Sequence, residues 1–285
     1  MSFAPVLAGG GLSGWLFLRR TLDTQQAAFA SSAGLRADAD HFRSRISDIR
    51  TADELLSDRR SLRVALSAFG LEDDVGNRAF LRRVLTDDPS QRDALTNRLA
   101  DKRYLGFAQA FGLWPGGPTE TARPDFADRI LDTHRSRQFE QAVGAQDESM
   151  RLALNALREL PALATRGGEP DTAWFAVMGS PPLRRVMEGA LGLPRNVGTL
   201  DIDQQLGIFR SKARSAFGNG EVSQFQSGEA VEGLIRRFLV RSQAAEGLSG
   251  FGSVGAGLPT SPALQLLRAG INAGQGPLLL GIRTS

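Results

Sequence analysis

The sequence contains no cysteine, two histidines and one tyrosine, and its only lysines are Lys102 and Lys212. The absence of cysteine excludes disulfides, thiolate metal sites and cysteine nucleophiles. It does not fix the compartment, because the same composition suits the cytosol and proteins that are exported unfolded. Since only two imidazole bases are present, the composition also narrows the catalytic chemistry that is open to the chain.

Positively and negatively charged residues are nearly equal in number. Lys and Arg together number 34 and Asp and Glu 31, a formal net charge of +3. The isoelectric point of about 10.1 is high because almost all cations are arginine and few groups titrate between the carboxylates and the guanidiniums. Net charge governs association with polyanions, and +3 is modest. We therefore expect no nucleic-acid partner.

Long apolar runs are also missing. No stretch reaches the length of a membrane-spanning helix, so we expect no membrane span. Residues 3–18 are apolar, but the basic pair Arg19 and Arg20 follows that stretch, and no basic segment precedes it. The order is opposite to that of a signal peptide, so we expect no cleaved leader.

Apolar residues recur at helical spacing through most of the chain, as in Leu35, Ala39, Phe42 and Ile46. The spacing of Thr51 and Glu54 is typical of a capping box. Glycines follow several apolar stripes, where a left-handed C-terminal residue is favoured; they are Gly70, Gly112, Gly144, Gly192 and Gly218. Sustained strand-like alternation is absent. The sequence therefore predicts an all-α fold, a multi-helix bundle.

Two composition changes divide the chain. The run 114–118, Trp-Pro-Gly-Gly-Pro, cannot continue a helix, and a Gly- and Ser-rich segment begins near Glu246. We predict two helical halves, residues 1–113 and 125–244, joined by a Pro/Gly linker at 114–124. A flexible Gly-rich C-terminal tail is predicted for 245–285. The endings Ala-Phe-Gly-Leu at 68–71 and Ala-Leu-Gly-Leu at 190–193 are similar, which indicates a repeated helix end or an old duplication.

The run from Gly9 to Gly14 matches G-x-G-x-x-G. A dinucleotide site requires a strand before these glycines, whereas the preceding segment holds Pro5 and lies close to the terminus. We interpret the run as a glycine-rich, mobile N-terminal arm and predict no cofactor.

Catalytic and metal-binding patterns are weak. His41 follows Asp38 and Asp40, but a solvated helix face explains this cluster better than a metal site. We predict no catalytic residue and no metal site. An enzyme of unrecognised type is the competing class, and it requires a pocket around His41 or His134. Five arginine pairs favour exposed helix faces with intrahelical ion pairs over a phosphate-binding face; they lie at 19–20, 59–60, 82–83, 184–185 and 236–237.

Several segments carry a family resemblance. They include the opening run at 3–15, the segments at 21–29, 51–55, 68–71 and 98–104, and later 147–150, 174–183 and 193–194. Over roughly residues 3–244 the chain resembles an alphaproteobacterial family of uncharacterised helical proteins that are commonly encoded among flagellar genes. The resemblance carries over no catalytic residue.

The resemblance implies a non-enzymatic, flagellum-associated protein that acts through contacts with flagellar proteins. A structural or exported component and an assembly factor both fit. The alternative is a cytoplasmic chaperone or regulator of flagellar assembly. The expected location is the cytoplasm, or the flagellum after export without a cleaved signal peptide. The oligomeric state is left open.

Candidate partner-binding residues lie near both ends of the chain. In the N-terminal segment they are Leu12, Trp15 and Leu16, and in the tail they are Leu264 and Leu267. Trp15 is the expected anchor, because large aromatic side chains dominate the energetics of interfaces. The alternative for Trp15 is a place in the core.

Overall fold

The structure is a computed structural model that describes residues 3–166 and 168–253. These residues form thirteen α-helices, four short 3-10 helices and no strand, so the predicted all-α fold is confirmed. The α-helices are α1 (Gly11–Ala30), α2 (Ala33–Ile46), α3 (Ala52–Ser57), α4 (Arg59–Phe69), α5 (Arg78–Thr86), α6 (Leu95–Arg98), α7 (Arg103–Phe111), α8 (Phe126–Gly144), α9 (Glu148–Ala164), α10 (Pro170–Met178), α11 (Pro181–Leu191), α12 (Ile202–Phe217) and α13 (Gly228–Ser253). The 3-10 helices are Glu72–Gly76, Glu120–Ala122, Arg195–Thr199 and Val222–Gln226.

The helical body ends at Gln243, and the residues from Ala244 onwards belong to a second unit. Helix α13 reaches Ser253, so helix continues past residue 245, where the tail is predicted to begin. Residues 254–285, with most of that tail, lie outside the described residues. No helix among the described residues is both long enough and apolar enough to cross a membrane.

Two apolar cores fill the body. The first is built from buried residues between Ala39 and Leu131, and the second from α1 together with residues between Phe139 and Leu239. Helix α1 therefore packs with the later helices although it opens the chain. Helix α8 belongs to both cores and packs against α4 and α9.

The predicted linker at 114–124 connects α7 to α8 and is held against the first core. The Thr121 side chain is 1% exposed, and its hydroxyl donates a hydrogen bond of 2.6 Å to the Ile49 carbonyl. Because this contact joins the segment to a residue 72 positions earlier, the linker is anchored on the body.

Helix ends follow the chemistry that the sequence predicts. Thr51 and Glu54 form the capping box, with the Glu54 N–H donating to the Thr51 hydroxyl at 3.2 Å. Gly70 and Gly192 are left-handed, with φ of 69° and 66°. In each case the leucine that follows donates its N–H back into the helix over 2.9 Å. The shared Gly-Leu ending is therefore a helix-terminating motif.

The prediction for Gly144 is wrong. This residue lies inside α8, and the helix ends on Ala145 in a right-handed conformation. A Cβ at Gly144 would lie 2.5 Å from Cδ of Arg151, so the close approach of that arginine explains the glycine.

The N-terminal arm is fastened to the body, contrary to the predicted mobile arm. The buried Gln25 side chain accepts a hydrogen bond from the Val6 N–H at 2.8 Å and donates one to the Val6 carbonyl at 3.1 Å. Gln146 donates to the Pro5 carbonyl at 2.8 Å. The glycines turn the chain into α1, and a Cβ at Gly14 would lie only 2.1 Å from the Gly9 carbonyl oxygen.

We expect Gly14→Ala to destabilise the protein by about 1–3 kcal/mol, the usual cost of forcing an atom into packed surroundings. Gly34→Ala is the matched control, because it lies in α2 and its Cβ would meet no atom within 4 Å. The control should gain about 0.5–1 kcal/mol from better helix propensity. Urea denaturation measures both, and equal effects of the two substitutions would refute the close approach at Gly14.

Candidate functional site

The candidate partner-binding residues of the N-terminal segment differ in exposure. Trp15 is completely buried in the second core, whereas Leu12 is partly buried against that core. Leu16 remains 44% exposed. The alternative position for Trp15, in the core, is the one that the structure has. Leu264 and Leu267 lie outside the described residues.

Trp15 is held by a polar contact as well as by packing. Its indole N–H donates to Oε2 of Glu232 in α13 at 2.8 Å, and Nε of Arg19 donates to the other oxygen at 2.6 Å. The Arg19 guanidinium also lies 5.9 Å from the centre of the Trp15 ring. Sequence reasoning missed Glu232 because 217 residues separate it from Trp15.

We expect Trp15→Ala to lower the free energy of unfolding by about 3–5 kcal/mol, as for other buried aromatic residues. Leu16→Ala, one position along the same helix, should change it by no more than about 0.5 kcal/mol. Urea denaturation of the two variants compares a core role with a surface role. A mild effect of Trp15→Ala would contradict the packing described above.

His41 contacts Asp58, the residue that caps the start of α4. Its Nε2 lies 2.9 Å from Oδ2 of Asp58, and Asp58 in turn accepts hydrogen bonds from the Arg60 and Ser61 N–H groups at the start of α4. Asp38, the neighbour that suggested a metal site, pairs instead with Arg60 at 2.7 Å. In residues 3–166 and 168–253, no three His, Asp or Glu side chains come together as metal ligands would.

His134 forms a pair with Ser67 that has the composition of a catalytic dyad. Nδ1 of His134 lies 3.0 Å from the Ser67 hydroxyl oxygen, which also accepts a hydrogen bond of 2.9 Å from Gln138. However, His134 is 5% exposed and Ser67 2%, between α4 and α8. Burial lowers the pKa of His134 to about 4. The pair is closed to a substrate in this structure, and it joins two helices.

The burial of His134 should make the free energy of unfolding depend on pH in the acid range. The His134 imidazole has a pKa of about 6.5 in the unfolded chain and about 4 in the folded protein. Between these two pH values only the unfolded chain binds the proton, so the free energy of unfolding falls as the pH is lowered through this interval. The full loss from this residue should be about 3 kcal/mol. We expect His134→Asn to show a shallower fall in the free energy of unfolding between pH 7 and pH 4. Parallel curves for the two proteins would contradict a buried neutral histidine.

The arginine pairs are used largely between helices, which differs from the intrahelical pairing that the sequence favours. Arg60 of α4 pairs with Asp38 of α2, and Arg82 of α5 pairs with Asp53 of α3. Arg184 pairs within its own helix with Glu188, four residues on. In each of these three arginine pairs, at least one guanidinium is therefore bound to a carboxylate of the helical body.

Another cationic group was missed by sequence reasoning. A cleft of about 360 Å³ lies between α7, α8, α9 and the turn from α10 to α11. We define the cationic cleft by its charged lining residues, which are Lys102, Arg103, Arg137, Arg158, Glu159 and Arg166. Five cations and one carboxylate line this cleft. The adjacent pair Lys102 and Arg103 was the only signal of this cleft in the sequence.

The fold and these sites define an all-helical protein with two cores and no strand among the described residues. The family model of DUF1217, described as proteins of unknown function, matches residues 68–231. Since the match covers more than half of the chain, the protein belongs to the DUF1217 family. The resemblance to an uncharacterised helical family is confirmed at this level.

One similar solved structure is the X-ray crystal structure of a protein from Agrobacterium tumefaciens. It is 22% identical in sequence, with a TM-score of 0.69, over 85% of this chain and 97% of that one. At this identity the likeness supports the fold alone. No curated protein matches the sequence.

Proposed function

We propose that this protein is a non-enzymatic, flagellum-associated protein that acts through protein–protein contacts, as an exported component or an assembly factor. The flagellar direction rests on the sequence resemblance over residues 3–244. The residues that carry the resemblance include core positions, such as Trp174 and Leu71, which are 0% and 2% exposed. A similarity at core positions is what a shared fold produces.

The observation that best supports a contact role is the exposed apolar surface of the N-terminal segment. Val6 is 55% exposed and Leu16 44%, on a segment that is fixed to the body through Gln25 and Glu232. A rigid segment loses little conformational entropy when a partner binds it. Apolar side chains on such a segment offer a partner helix or groove a preformed surface.

The use of both histidines in structure supports the non-enzymatic reading. His41 pairs with a helix-capping aspartate, and His134 is buried beside Ser67. Each imidazole therefore has a structural explanation that requires no substrate.

Localisation tests the flagellar proposal. An epitope-tagged copy is followed by immunoblot through cytoplasm, culture medium and purified hook–basal bodies, in a wild-type strain and in one with a disabled flagellar export gate. An exported component should appear in basal bodies or medium and disappear from them with the gate. An assembly factor should stay in the cytoplasm and co-purify there with a flagellar protein. Cytoplasmic protein that captures no flagellar protein would refute the proposal.

The same experiment with two variants tests the contact surface. Leu16→Asp should reduce recovery in basal bodies, or capture of the flagellar partner, about tenfold or more if Leu16 is a central contact. Ile202→Asp is the matched control, because Ile202 is 49% exposed at the start of α12. Unchanged recovery of Leu16→Asp would remove this surface from the proposal while leaving the location result intact.

A further inference from the structure

At the floor of the cationic cleft, two guanidinium groups share one carboxylate oxygen. Oε1 of Glu159 accepts from Nη2 of Arg137 at 2.5 Å and from Nη1 of Arg158 at 3.1 Å. Arg158 is also paired through two hydrogen bonds, of 2.6 and 3.0 Å, with the buried Glu140. Nε of Arg137 is buried and has no hydrogen-bond partner. The pKa of Arg137 is lowered, first by burial and then by the charge of Arg158.

A third guanidinium joins these two above Gly70. Arg103 donates to the Gly70 carbonyl and pairs with Asp101 at 2.6 Å. A Cβ at Gly70 would lie 2.7 Å from Nη1 of Arg137 and 3.2 Å from Nη1 of Arg103. The two cationic groups therefore approach the same point, and only a glycine leaves them room. Like charges held this close favour the arrival of an anion.

Carboxylates around the floor pair with all three of its arginines. Asp101, Glu140 and Glu159 each pair with one or two of them. Glu72 also interacts electrostatically with Arg103 and Arg137, but burial raises its pKa, and one of its buried oxygens has no hydrogen-bond partner. The floor therefore carries no excess of positive charge.

The mouth of the cleft carries the excess positive charge. Lys102 and Arg166 are exposed, and neither has a carboxylate within 4 Å among the described residues. Nζ of Lys102 donates to the Asn97 carbonyl at 2.9 Å, which leaves its charge unneutralised. Lys102 and Arg166 therefore line the cleft as two cations that are not paired with a carboxylate among the described residues.

Apolar side chains complete the wall. Phe69, Leu163 and Ala176 line the cleft beside the cations, and so does Ser180, whose side chain makes no capping hydrogen bond at the start of α11. A cleft of this volume, with a mixed apolar and polar lining, has the size and character of a small-molecule site.

We infer that the cationic cleft binds a phosphate group, either as free phosphate or as a small phosphate monoester. A phosphate monoester carries a charge of about −1.5 to −2 at pH 7, which matches the two unpaired cations, whereas a single carboxylate would leave one of them unmatched. Guanidinium groups offer planar pairs of donors that suit phosphate oxygens. Phe69 and Leu163 give the organic part of a monoester an apolar surface. This inference is independent of the flagellar proposal.

Isothermal titration calorimetry of the full chain tests it with three probes at constant ionic strength and pH 7.5. The probes are inorganic phosphate, phenyl phosphate and benzoate, and benzoate keeps the ring but carries one negative charge. Wild-type protein should bind at least one phosphate probe more tightly than benzoate. Equal affinity for both phosphate probes would identify the free ion as a sufficient ligand, and tighter binding of phenyl phosphate would identify a monoester.

Charge reversal at the mouth locates the site. Lys102→Glu with Arg166→Glu should weaken phosphate binding by about tenfold or more, because both uncompensated cations are replaced. The matched control is Lys212→Glu with Arg36→Glu, which makes the same change of charge at two exposed residues outside the cleft. All four positions are exposed, so both double variants should fold, and circular dichroism checks this.

Three results would overturn the inference. They are no binding of either phosphate probe to wild-type protein, benzoate that binds as tightly as both phosphate probes, and equal loss of phosphate binding in the two double variants. The last would identify a general charge effect without a defined site.

Discussion

Helix α8 is the element on which the rest of the structure depends, because it packs into both cores. Its first half contributes Ile130 and Leu131 to the first core, and its second half contributes Phe139 and Val143 to the second. A helix of 19 residues is about 28 Å long, enough to reach across two adjacent cores. Displacement of α8 would disturb α4 on one side and α9 on the other. One continuous helix therefore connects the two cores.

The same helix carries the polar groups that fix how its neighbours lie. His134 and Gln138 reach Ser67 on α4, while Arg137 and Glu140 reach Glu159 and Arg158 on α9. Buried ion pairs contribute little net stability, because desolvation offsets their attraction, but loss of one partner leaves an uncompensated charge. The network between α8 and α9 therefore favours a single arrangement of the two helices. The cationic cleft lies on this fixed floor, so its guanidiniums are positioned before any ligand arrives.

Local features of the fold were predictable from sequence, and long-range ones were not. The capping box at Thr51 and the left-handed glycines Gly70 and Gly192 depend on neighbouring residues, and these predictions are confirmed. The prediction for Gly144 fails because a glycine is needed there to leave room for the Arg151 side chain, which no local pattern reveals. The halves, linker and tail predicted from composition stay predictions, and α1 illustrates the difficulty. Helix α1 opens the chain but packs in the core of the later helices, through apolar contacts that amphipathic spacing cannot assign to a partner.

The candidate sites show the same limit. The apolar residues Leu12, Trp15 and Leu16 predict an apolar face of a helix, yet their spacing cannot distinguish a face that contacts the core from one that contacts a partner. Trp15 and Leu16 are adjacent and have opposite exposures, because one turn of α1 presents both faces of the helix. The members of each arginine pair are adjacent in sequence, whereas the cations of the cationic cleft lie far apart in sequence, from Lys102 to Arg166.

Charge position, rather than charge total, decides what this surface can attract. The formal net charge is only +3, and arginines such as Arg60, Arg82 and Arg158 are paired with carboxylates. Lys102 and Arg166 line one cleft together, and neither is paired with a carboxylate among the described residues. Low-dielectric walls such as Phe69 and Leu163 concentrate the field of Lys102 and Arg166 in the cleft. A nearly neutral protein can therefore present a local cluster of cations that its overall composition does not predict.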